Sequence, residues 1–366
     1  MIKNRNLKEY NEIVAEKVKF FREKALKNKK KYEKEQLSQP VAFWIKKDRL
    51  INEIGKQFTI ILRTKGCSWS LSKTGGCTMC GYINDANIDD IEQSQVINQF
   101  IYAINSKMSE IEEDHDKFIL KIFNSGSFFD EKEISEVVRR TIYEKIAGIK
   151  SIKEVVLESR LEYITTEILS EIREFLKDKY VEIAIGLETV NDYIRNNYIN
   201  KGFLYENFKE VCNECKGFDI GIKAYLLFKP PFLNEQAAID DCVNSIRNLI
   251  EQDINTISIN PLNIQKGTLV EYLWYQNRYR PPWYYSLFKC LKKSLTQKDL
   301  EKVRILSDPS GAGTRRGIHN CLKKECENSA KQMLSNFVLS QNLSELKQNG
   351  FECNCKSKYQ LEKNYC

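Results

Sequence analysis

Three cysteines lie close together in the segment TKGCSWSLSKTGGCTMCGYIND. They are Cys67, Cys77 and Cys80, and they follow a strand-like run that ends at Leu62. Three thiolates would leave one iron of a cubane 4Fe–4S cluster without a protein ligand, and an open iron can bind and reductively cleave a small molecule. A fully ligated cluster mainly transfers electrons. The spacing therefore favours a catalytic iron–sulfur cluster.

Two other interpretations of these cysteines remain open at this point. The C-x2-C pair of Cys77 and Cys80 also fits zinc, and three thiols can be buried without any metal. Three glycines favour the cluster, because glycine lets a backbone wrap closely around a cluster and donate N–H groups to its sulfurs. These glycines are Gly75, Gly76 and Gly81.

The composition is typical of a soluble protein from a reducing compartment. The chain has 366 residues, of which 42% are hydrophobic, enough for one large domain with an appendage or for two domains. Its 12 cysteines, several of them in close pairs, favour metal ligation over disulfides. No apolar run has transmembrane length, and the charged N-terminus is unlike a signal peptide. We therefore expect a cytoplasmic protein with no membrane partner.

Positive charge is concentrated near the N-terminus. The net charge is +7, and residues 1–50 alone carry 15 Lys and Arg against 7 Asp and Glu. Apolar residues at helical spacing across residues 7–36 predict one long exposed helix, ended by Pro40. Such a helix fits a polyanionic partner, and it fits a solvated lysine-rich surface equally well.

From residue 57 onward, short apolar runs alternate with longer amphipathic stretches. The predicted strands are Phe58–Leu62, Phe118–Phe123, Glu154–Leu157, Glu182–Ile185, Ile220–Phe228 and Ile257–Ile259. The predicted helices cover about residues 89–113, 131–146, 163–177, 191–217 and 234–251. Six strand–helix units predict an α/β fold whose parallel sheet winds into a full or partial barrel, with chemistry at the carboxyl ends of the strands. The cysteine loop follows the first strand and so lies at that edge.

The chain divides into four predicted segments. Residues 1–45 form the basic helical extension, and residues 46–265 form the barrel. Residues 266–307, which are rich in aromatic residues and proline, are predicted to be irregular structure that closes the barrel. Residues 308–366 form a small region rich in Gly, Asn and Cys.

A small polar loop follows the second predicted strand. Its residues Ser125, Gly126 and Ser127 can hold the amino or carboxylate end of a polar ligand, with Gly126 allowing close backbone approach. The alternative is a plain strand-to-helix turn with Asp130 as the N-cap.

Charged residues follow the next three predicted strands. Glu158 and Arg160 come after the third strand and Glu188 after the fourth; a carboxylate can accept ribose hydroxyls, and an arginine can clamp a carboxylate. A local ion pair at the barrel rim is the alternative for the first two. Lys223 and Lys229, in and after the fifth strand, are candidates to neutralise a carboxylate or phosphate of a substrate.

Taken together, these motifs resemble the radical SAM superfamily, in the branch that includes the Elongator acetyltransferase-type proteins. The common spacing is C-x3-C-x2-C, whereas this chain has the wider C-x9-C-x2-C of that branch. From about residue 40 to the C-terminus the chain resembles the archaeosine-biosynthesis radical SAM family more closely. The segments that carry this resemblance are GCSWSLSKTGGCTMCGY, NSGSFFD, VLESR, IGLETVNDYIR, INKGF, LLFKPPFLNE and GAGTRRGIHNC.

The resemblance implies a partial (β/α)6 radical SAM barrel with a 4Fe–4S cluster on the three cysteines. S-adenosylmethionine (SAM) would chelate the fourth iron, and its reductive cleavage would give methionine and a 5′-deoxyadenosyl radical. Met79 and Tyr82 would flank the adenine, and Ser125, Gly126 and Ser127 would contact the methionine end. Glu158, Arg160 and Glu188 would bind the remaining polar groups.

The substrate implied by the resemblance is a tRNA whose deazaguanine base bears a lysine adduct. Radical C–N cleavage would leave the formamidine of archaeosine, which requires an electron donor for the cluster and a lysine-transferring partner enzyme. One alternative is an enzyme of the same branch that acts on another nucleoside or a small molecule. Another is a non-catalytic Fe–S or zinc RNA-binding protein; three core cysteines rather than four favour an enzyme.

The C-terminal region holds a second candidate metal site. Five residues there are possible zinc ligands, namely His319, Cys321, Cys326, Cys353 and Cys355. Another iron–sulfur cluster and unligated thiols are the alternatives. The neighbouring Arg315 and Arg316 either contact RNA phosphate or are solvated surface residues.

Overall fold

The computed structural model describes residues 12–27, 29, 31–113, 117–346 and 353–365. Within these ranges the strands form one eight-stranded sheet and pair in chain order. The strands are β1 (Ala42–Arg49), β2 (Ile54–Ile61), β3 (Phe118–Phe123), β4 (Ile152–Glu158), β5 (Tyr180–Glu188), β6 (Gly221–Phe228), β7 (Thr256–Pro261) and β8 (Arg304–Leu306). Strand β1 is antiparallel to β2, and the other pairs are parallel. All six predicted strands are present, and the predicted α/β partial barrel is confirmed.

The α-helices within the same ranges connect and cover these strands. They are α1 (Glu12–Lys27), α2 (Lys34–Leu37), α3 (Ser68–Leu71), α4 (Gln93–Glu113), α5 (Glu136–Ala147), α6 (Thr166–Phe175), α7 (Tyr205–Gly217), α8 (Glu235–Glu251), α9 (Leu269–Tyr275), α10 (Tyr284–Ser294), α11 (Lys324–Ser340) and α12 (Cys355–Glu362). The single helix predicted over 191–217 is in fact a π-helical turn, Ile194–Tyr198, followed by α7. Asn200 and Gly202, with φ of 62° and 88°, interrupt it. None of the described helices is long and apolar enough to cross a membrane.

The two faces of the strands have different partners. Apolar residues such as Phe58 and Ile183 pack outward against helix residues such as Ile246 in one large buried cluster. Alternate strand residues face the barrel interior, where Ile119 and Val156 are buried. Full burial of a side chain of this size contributes roughly 1.5–3 kcal/mol, so the outer cluster dominates the stability of the sheet.

A buried arginine joins strands that are far apart in the sheet order. Arg304 of β8 donates hydrogen bonds to Glu154 of β4 at 2.7 Å and to Glu182 of β5 at 2.6 Å. It also donates to the carbonyl of Arg49, at the end of β1, at 3.2 Å. Residues on β1, β4, β5 and β8 can meet in this way only because the sheet curls around its interior.

The N-terminal helix is shorter and less exposed than the sequence predicts. Residues 7–11, 28 and 30 of the predicted range 7–36 lie outside the described part of the chain, and α1 ends at Lys27. Val14, Val18 and Arg22 are buried, and the ring of Phe21 lies 5.2 Å from that of Tyr272 on α9. The apolar stripe of α1 therefore packs against the body of the protein, while its lysines face solvent.

The segment 266–307 contains the helices α9 and α10 and the strand β8, which corrects the prediction of irregular structure. The side chain of Thr268 accepts the N–H of Glu271 and so caps the start of α9. Pro281 and Pro282 lie just before α10, where proline does not disrupt a helix. Of the aromatic residues in this segment, Trp283 and Tyr284 are buried, whereas Tyr272 and Tyr275 of α9 are exposed.

Candidate functional site

The loop between β2 and α4 carries the three cysteines at the carboxyl edge of the sheet. Cys77 is buried, and Cys67 and Cys80 are partly buried. Thr78 fixes the loop to the segment after β5. Its N–H donates to the carbonyl of Ile199 and its hydroxyl donates to the carbonyl of Tyr198, both at 3.0 Å. The three thiols are close enough to influence one another's pKa values.

Two glycines of this loop are required by packing as well as by conformation. Gly75 and Gly76 have φ of 76° and 86°, a region that residues with side chains rarely adopt. A methyl group on Gly75 would lie 2.7 Å from the Cα of Lys19, so the loop is pressed against helix α1. The side-chain amide of Asn200 donates a hydrogen bond to the carbonyl of Gly76 at 2.7 Å, which fixes the loop at its second glycine.

Arg22 of α1 binds the cysteine loop directly, and the sequence did not single it out. Its Nε donates to the carbonyl of Gly75 at 2.9 Å and its Nη2 to the carbonyl of Cys80 at 2.7 Å. Its Nη1 is buried without an acceptor in the part of the chain that the structure describes. The guanidinium thus has one unused donor beside a cysteine of the loop.

The charges around the thiols suit a bound anion. Burial raises the pKa of Cys77, and it raises that of Cys80 to about 12. Lys201 and Arg160 oppose the shift at Cys77, and Arg22 opposes it at Cys80. A cluster held by thiolates is anionic, so these three cations and the free Arg22 donor fit such a group.

The Ser125–Ser127 loop lies against the cysteine loop. A methyl group on Gly126 would lie 2.6 Å from the Cα of Cys67. The buried Glu133 fixes this loop, because its carboxylate accepts the N–H of Ser127 at 2.8 Å and the amide of Asn124 at 2.8 Å. Burial raises the pKa of Glu133 to about 7. The Ser125 hydroxyl makes no hydrogen bond to any described residue.

Asp130 is not an N-cap, so the alternative of a simple capped turn does not describe this loop. Helix α5 starts after Ser135, and Asp130 instead accepts a hydrogen bond from the hydroxyl of Ser68 at 2.5 Å. Ser68 directly follows Cys67 in the sequence. Asp130 therefore ties the two loops together.

Glu158 and Arg160 do not pair with each other. Arg160 binds Glu162 at 2.5 Å, donates to the carbonyl of Lys201 at 3.0 Å and lies 4.9 Å over the ring of Trp69. The Glu158 carboxylate makes no hydrogen bond or ion pair among the described residues, and burial raises its pKa to about 7. A partly buried carboxyl group without a partner is available to a ligand.

Glu188 pairs with a lysine that the sequence analysis left unassigned. Lys201 lies 2.7 Å from Glu188, and both side chains are nearly buried. Glu188 has φ of 68° at a register shift between β5 and β6, and this strained backbone turns its carboxylate toward the lysine. The pair needs a glycine at position 186, because a methyl group there would lie 2.5 Å from the Lys201 amine.

The two candidate substrate lysines have different surroundings. Lys223 is buried in the barrel interior 5.2 Å from the ring of Tyr225, and burial lowers its pKa to about 7. It forms no salt bridge within the described ranges. Lys229 forms a fully buried pair with Glu235 at 2.7 Å and also donates to the carbonyl of Arg280. Its charge is neutralised inside the fold, so the structure does not offer Lys229 to a substrate.

Met79 and Tyr82 border the cysteines. Met79 is partly buried in the same apolar cluster as Cys77 and Cys80. The side chain of Tyr82 is 53% exposed at the start of a short 3-10 turn. An exposed ring next to Cys80 can stack on a planar ligand.

The sequence has close relatives, although no family model matches it. The archaeosine synthase subunit beta of Methanosarcina acetivorans is 36% identical over 87% of this chain and 88% of that protein. The archaeosine synthase subunit beta of Thermococcus kodakarensis is 35% identical over 88% of this chain and 97% of that protein. The chain belongs to the archaeosine synthase subunit beta family. An uncharacterized protein of Methanocaldococcus jannaschii is 39% identical over 95% of this chain and 92% of that protein.

Membership in the archaeosine synthase subunit beta family confirms the predicted resemblance and the prediction of an enzyme. Solved structures are more distant. A radical SAM methyltransferase from Kitasatospora setae has a TM-score of 0.41 and 11% identity, over 62% of this chain and 40% of that chain. Methylornithine synthase has a TM-score of 0.43 and 10% identity, over 84% of this chain and 79% of that chain. The membership rests on the sequence relatives.

A second group of thiols lies near the C-terminus of this protein. Four sulfur atoms lie within 4.8 Å of one another, from Cys321, Cys326, Cys353 and Cys355. Cys321 is 3.6 Å from Cys353, and Cys326 is 3.8 Å from Cys355. These distances are too long for disulfides and suit four ligands around one metal ion.

His319, the fifth predicted ligand, does not join the four thiols. Its Nδ1 lies 2.8 Å from the carbonyl of Gly317. Burial and the nearby Arg280 lower its pKa to about 4, and Arg280 in turn donates to the His319 carbonyl at 3.0 Å. His319 is therefore a buried structural residue, and the candidate metal site has four ligands.

Arg315 and Arg316 differ although they are neighbours. Arg316 binds Glu271 at 2.5 Å and lies 5.0 Å over the ring of Trp274, so its charge is used within the fold. Arg315 is exposed, and its guanidinium has no partner among the described residues. Of the two, Arg315 is the one positioned to meet a ligand.

Proposed function

We propose that Cys67, Cys77 and Cys80 hold a 4Fe–4S cluster and that SAM binds at its open iron. The observation that supports this most strongly is the contact of Gly126 with Cys67, because it sets a polar loop directly against the cluster ligands. When bound, these groups would supply a 5′-deoxyadenosyl radical by reductive cleavage of SAM.

The groups without partners define how this chain would hold SAM. We assign the free Ser125 hydroxyl, together with Gly126 and Ser127, to the methionine end. Glu158, whose carboxylate has no partner, would bind ribose hydroxyls or the ammonium group. Arg160 and the Glu188–Lys201 pair would position these groups and balance their charge, and Met79 and the exposed ring of Tyr82 would flank the adenine.

The proposed substrate is a tRNA that carries a lysine-adducted deazaguanine base, and the proposed product is archaeosine. The relatives are named archaeosine synthase subunit beta. Lys223 lies in the same layer of the barrel as Glu158, since both pair in register with Ala184. Its amine titrates near neutrality, so it can exchange a proton with a substrate nitrogen when the C–N bond breaks.

The names of the two relatives also indicate the partners that we propose for this protein. A beta subunit implies a second subunit, which we propose is the enzyme that attaches lysine to the base. An electron donor must reduce the cluster, because SAM cleavage consumes one electron.

We further propose that the four C-terminal thiols bind zinc. A tetrahedral Zn–S₄ centre with Zn–S bonds of about 2.3 Å has sulfur–sulfur edges of about 3.8 Å. The two measured separations of 3.6 and 3.8 Å match that edge. A cubane cluster binds its ligands to four separate irons and would hold them further apart.

The substrate proposal is tested by mass spectrometry of tRNA nucleosides from a strain that lacks this gene. We expect loss of archaeosine and accumulation of the lysine adduct. Archaeosine that persists with no adduct would rule out this substrate.

A further inference from the structure

A groove of about 830 Å³ lies beside the C-terminal region. Its walls come from the loop after β6, the end of α9 with the chain that follows it, and the segment around Arg315. None of the described residues that line it is Asp or Glu. The groove therefore carries positive charge without local compensation.

Two arginines supply that charge. Arg278 and Arg315 are both exposed, and neither guanidinium has a hydrogen bond or ion pair in the described part of the chain. The third arginine, Arg280, is fixed instead, because it donates to the carbonyls of His319 and Asn320 and stacks 3.6 Å over Trp283. Exposed, unpaired arginines are free to bind phosphate.

Exposed aromatic rings line the same groove as these arginines. Tyr275 is 65% exposed, and its ring lies 4.9 Å from that of Trp274. Phe232 is 48% exposed and has φ of 69°, an unfavourable backbone for a bulky residue. Exposed rings next to free arginines are the features that bind unstacked nucleobases and the phosphates between them.

The groove is close to the proposed radical site. Leu233, Trp274 and Tyr279 line the groove and also belong to the apolar cluster that contains Cys77 and Met79. The loop with Phe232 follows β6, so it leaves the sheet at the same carboxyl edge as the cysteine loop. The groove and the cysteine loop therefore share one apolar cluster at the carboxyl edge of the sheet.

We propose that this groove binds the RNA strand that flanks the target nucleotide, with Arg278 and Arg315 on phosphates and Tyr275 stacked on a base. The inference rests on the proposed function, since it takes RNA as the substrate. A protein partner with an acidic surface is the competing occupant. RNA is favoured because the groove combines two arginines that have no partner among the described residues with exposed rings, and presents no extended apolar surface.

The test is binding of an unmodified tRNA transcript to the full chain, measured by fluorescence anisotropy at several salt concentrations. We expect Arg278→Gln/Arg315→Gln to weaken binding at least tenfold and to lower the slope of log K against log salt by about 1.5 to 2, as two lost phosphate contacts require. Tyr275→Ala should weaken binding roughly fivefold or more with an unchanged slope, since stacking releases no counterions.

The matched control is Arg173→Gln/Arg247→Gln, which removes two charges from α6 and α8 and should bind tRNA as the unchanged protein does. Thermal unfolding verifies that each variant is folded. Equal affinity and slope in the groove and control variants would overturn the proposal. The proposal would also be overturned if the groove variants bound tRNA normally but no longer associated with the partner subunit. That result would show that the groove binds a protein. Release of 5′-deoxyadenosine without RNA reports separately on the proposed function.

Discussion

The Arg22 guanidinium donates hydrogen bonds to the carbonyls of both Gly75 and Cys80, at 2.9 and 2.7 Å. The basic N-terminal helix is thereby bound to the loop that carries the cysteines. The charge surplus of residues 1–50 fits a polyanionic partner and a solvated lysine-rich helix equally well, yet Arg22 is buried against the cysteine loop. Helix α1 is therefore part of the structure that holds the cysteine loop in place.

Replacement of Arg22 should loosen the cysteine loop. Arg22→Gln removes two hydrogen bonds from a charged donor, each worth about 1.5–3 kcal/mol, and leaves two carbonyls unsatisfied. We expect a lower melting temperature and less iron per chain after anaerobic reconstitution. The control is Lys19→Gln on the same helix, where an exposed lysine faces Glu23 at 3.9 Å. Full iron content in Arg22→Gln would contradict this role.

The Glu188–Lys201 pair should be strongly coupled. Lys201→Met leaves a nearly buried carboxylate unpaired, which costs about 3–5 kcal/mol. Adding Glu188→Gln should recover much of that loss, and a double-mutant cycle by denaturant unfolding measures the coupling free energy. Additive effects of the two substitutions would show that the pair contributes nothing.

Lys223 makes a pH-dependent contribution to stability. Its pKa is about 7 in the fold and near 10.5 in the unfolded chain, so the folded state is penalised while the amine is charged. The penalty is complete below pH 7 and disappears as pH rises toward 10.5. Lys223→Met should therefore raise the melting temperature most at pH 6.5, with the gain shrinking at pH 9.5. A pH-independent difference between the two proteins would contradict the lowered pKa.

The C-terminal thiols should bind one zinc per chain. Cys326→Ser should lose that metal in elemental analysis by mass spectrometry and should unfold at a lower temperature, because structural zinc contributes folding free energy. His319→Gln should keep it, since His319 lies outside the four-thiol group. Metal retained in Cys326→Ser, or lost only in His319→Gln, would reject the four-ligand site.

The sequence predicted well what depends on local pattern. Six buried strands and the cysteine loop after the first of them follow from apolar runs and spacing. Strand β1 was missed because its residues Lys46 and Lys47 break the apolar pattern, and β8 because it has three residues. Neither strand is long and apolar enough to be recognised without its neighbours.

The supporting residues of the site could not be predicted, because their roles arise from contacts between distant segments. Glu133 lies in a polar run typical of a helix start, yet it is buried and fixes the Ser125–Ser127 loop. Lys201 follows Glu188 by 13 residues, and the segment INKGF contains no pattern that indicates their pairing. Arg22 meets Cys80 across 58 residues of sequence. Hydrophobic periodicity contains no information about such pairs.

A cluster on Cys67, Cys77 and Cys80 that cleaves SAM would release 5′-deoxyadenosine. The most direct test is 5′-deoxyadenosine release by anaerobically reconstituted protein with dithionite and SAM, measured by liquid chromatography. Cys80→Ala should abolish release, whereas Cys212→Ala, which alters a buried thiol on α7, should keep it. Release that is unchanged in Cys80→Ala would contradict the account.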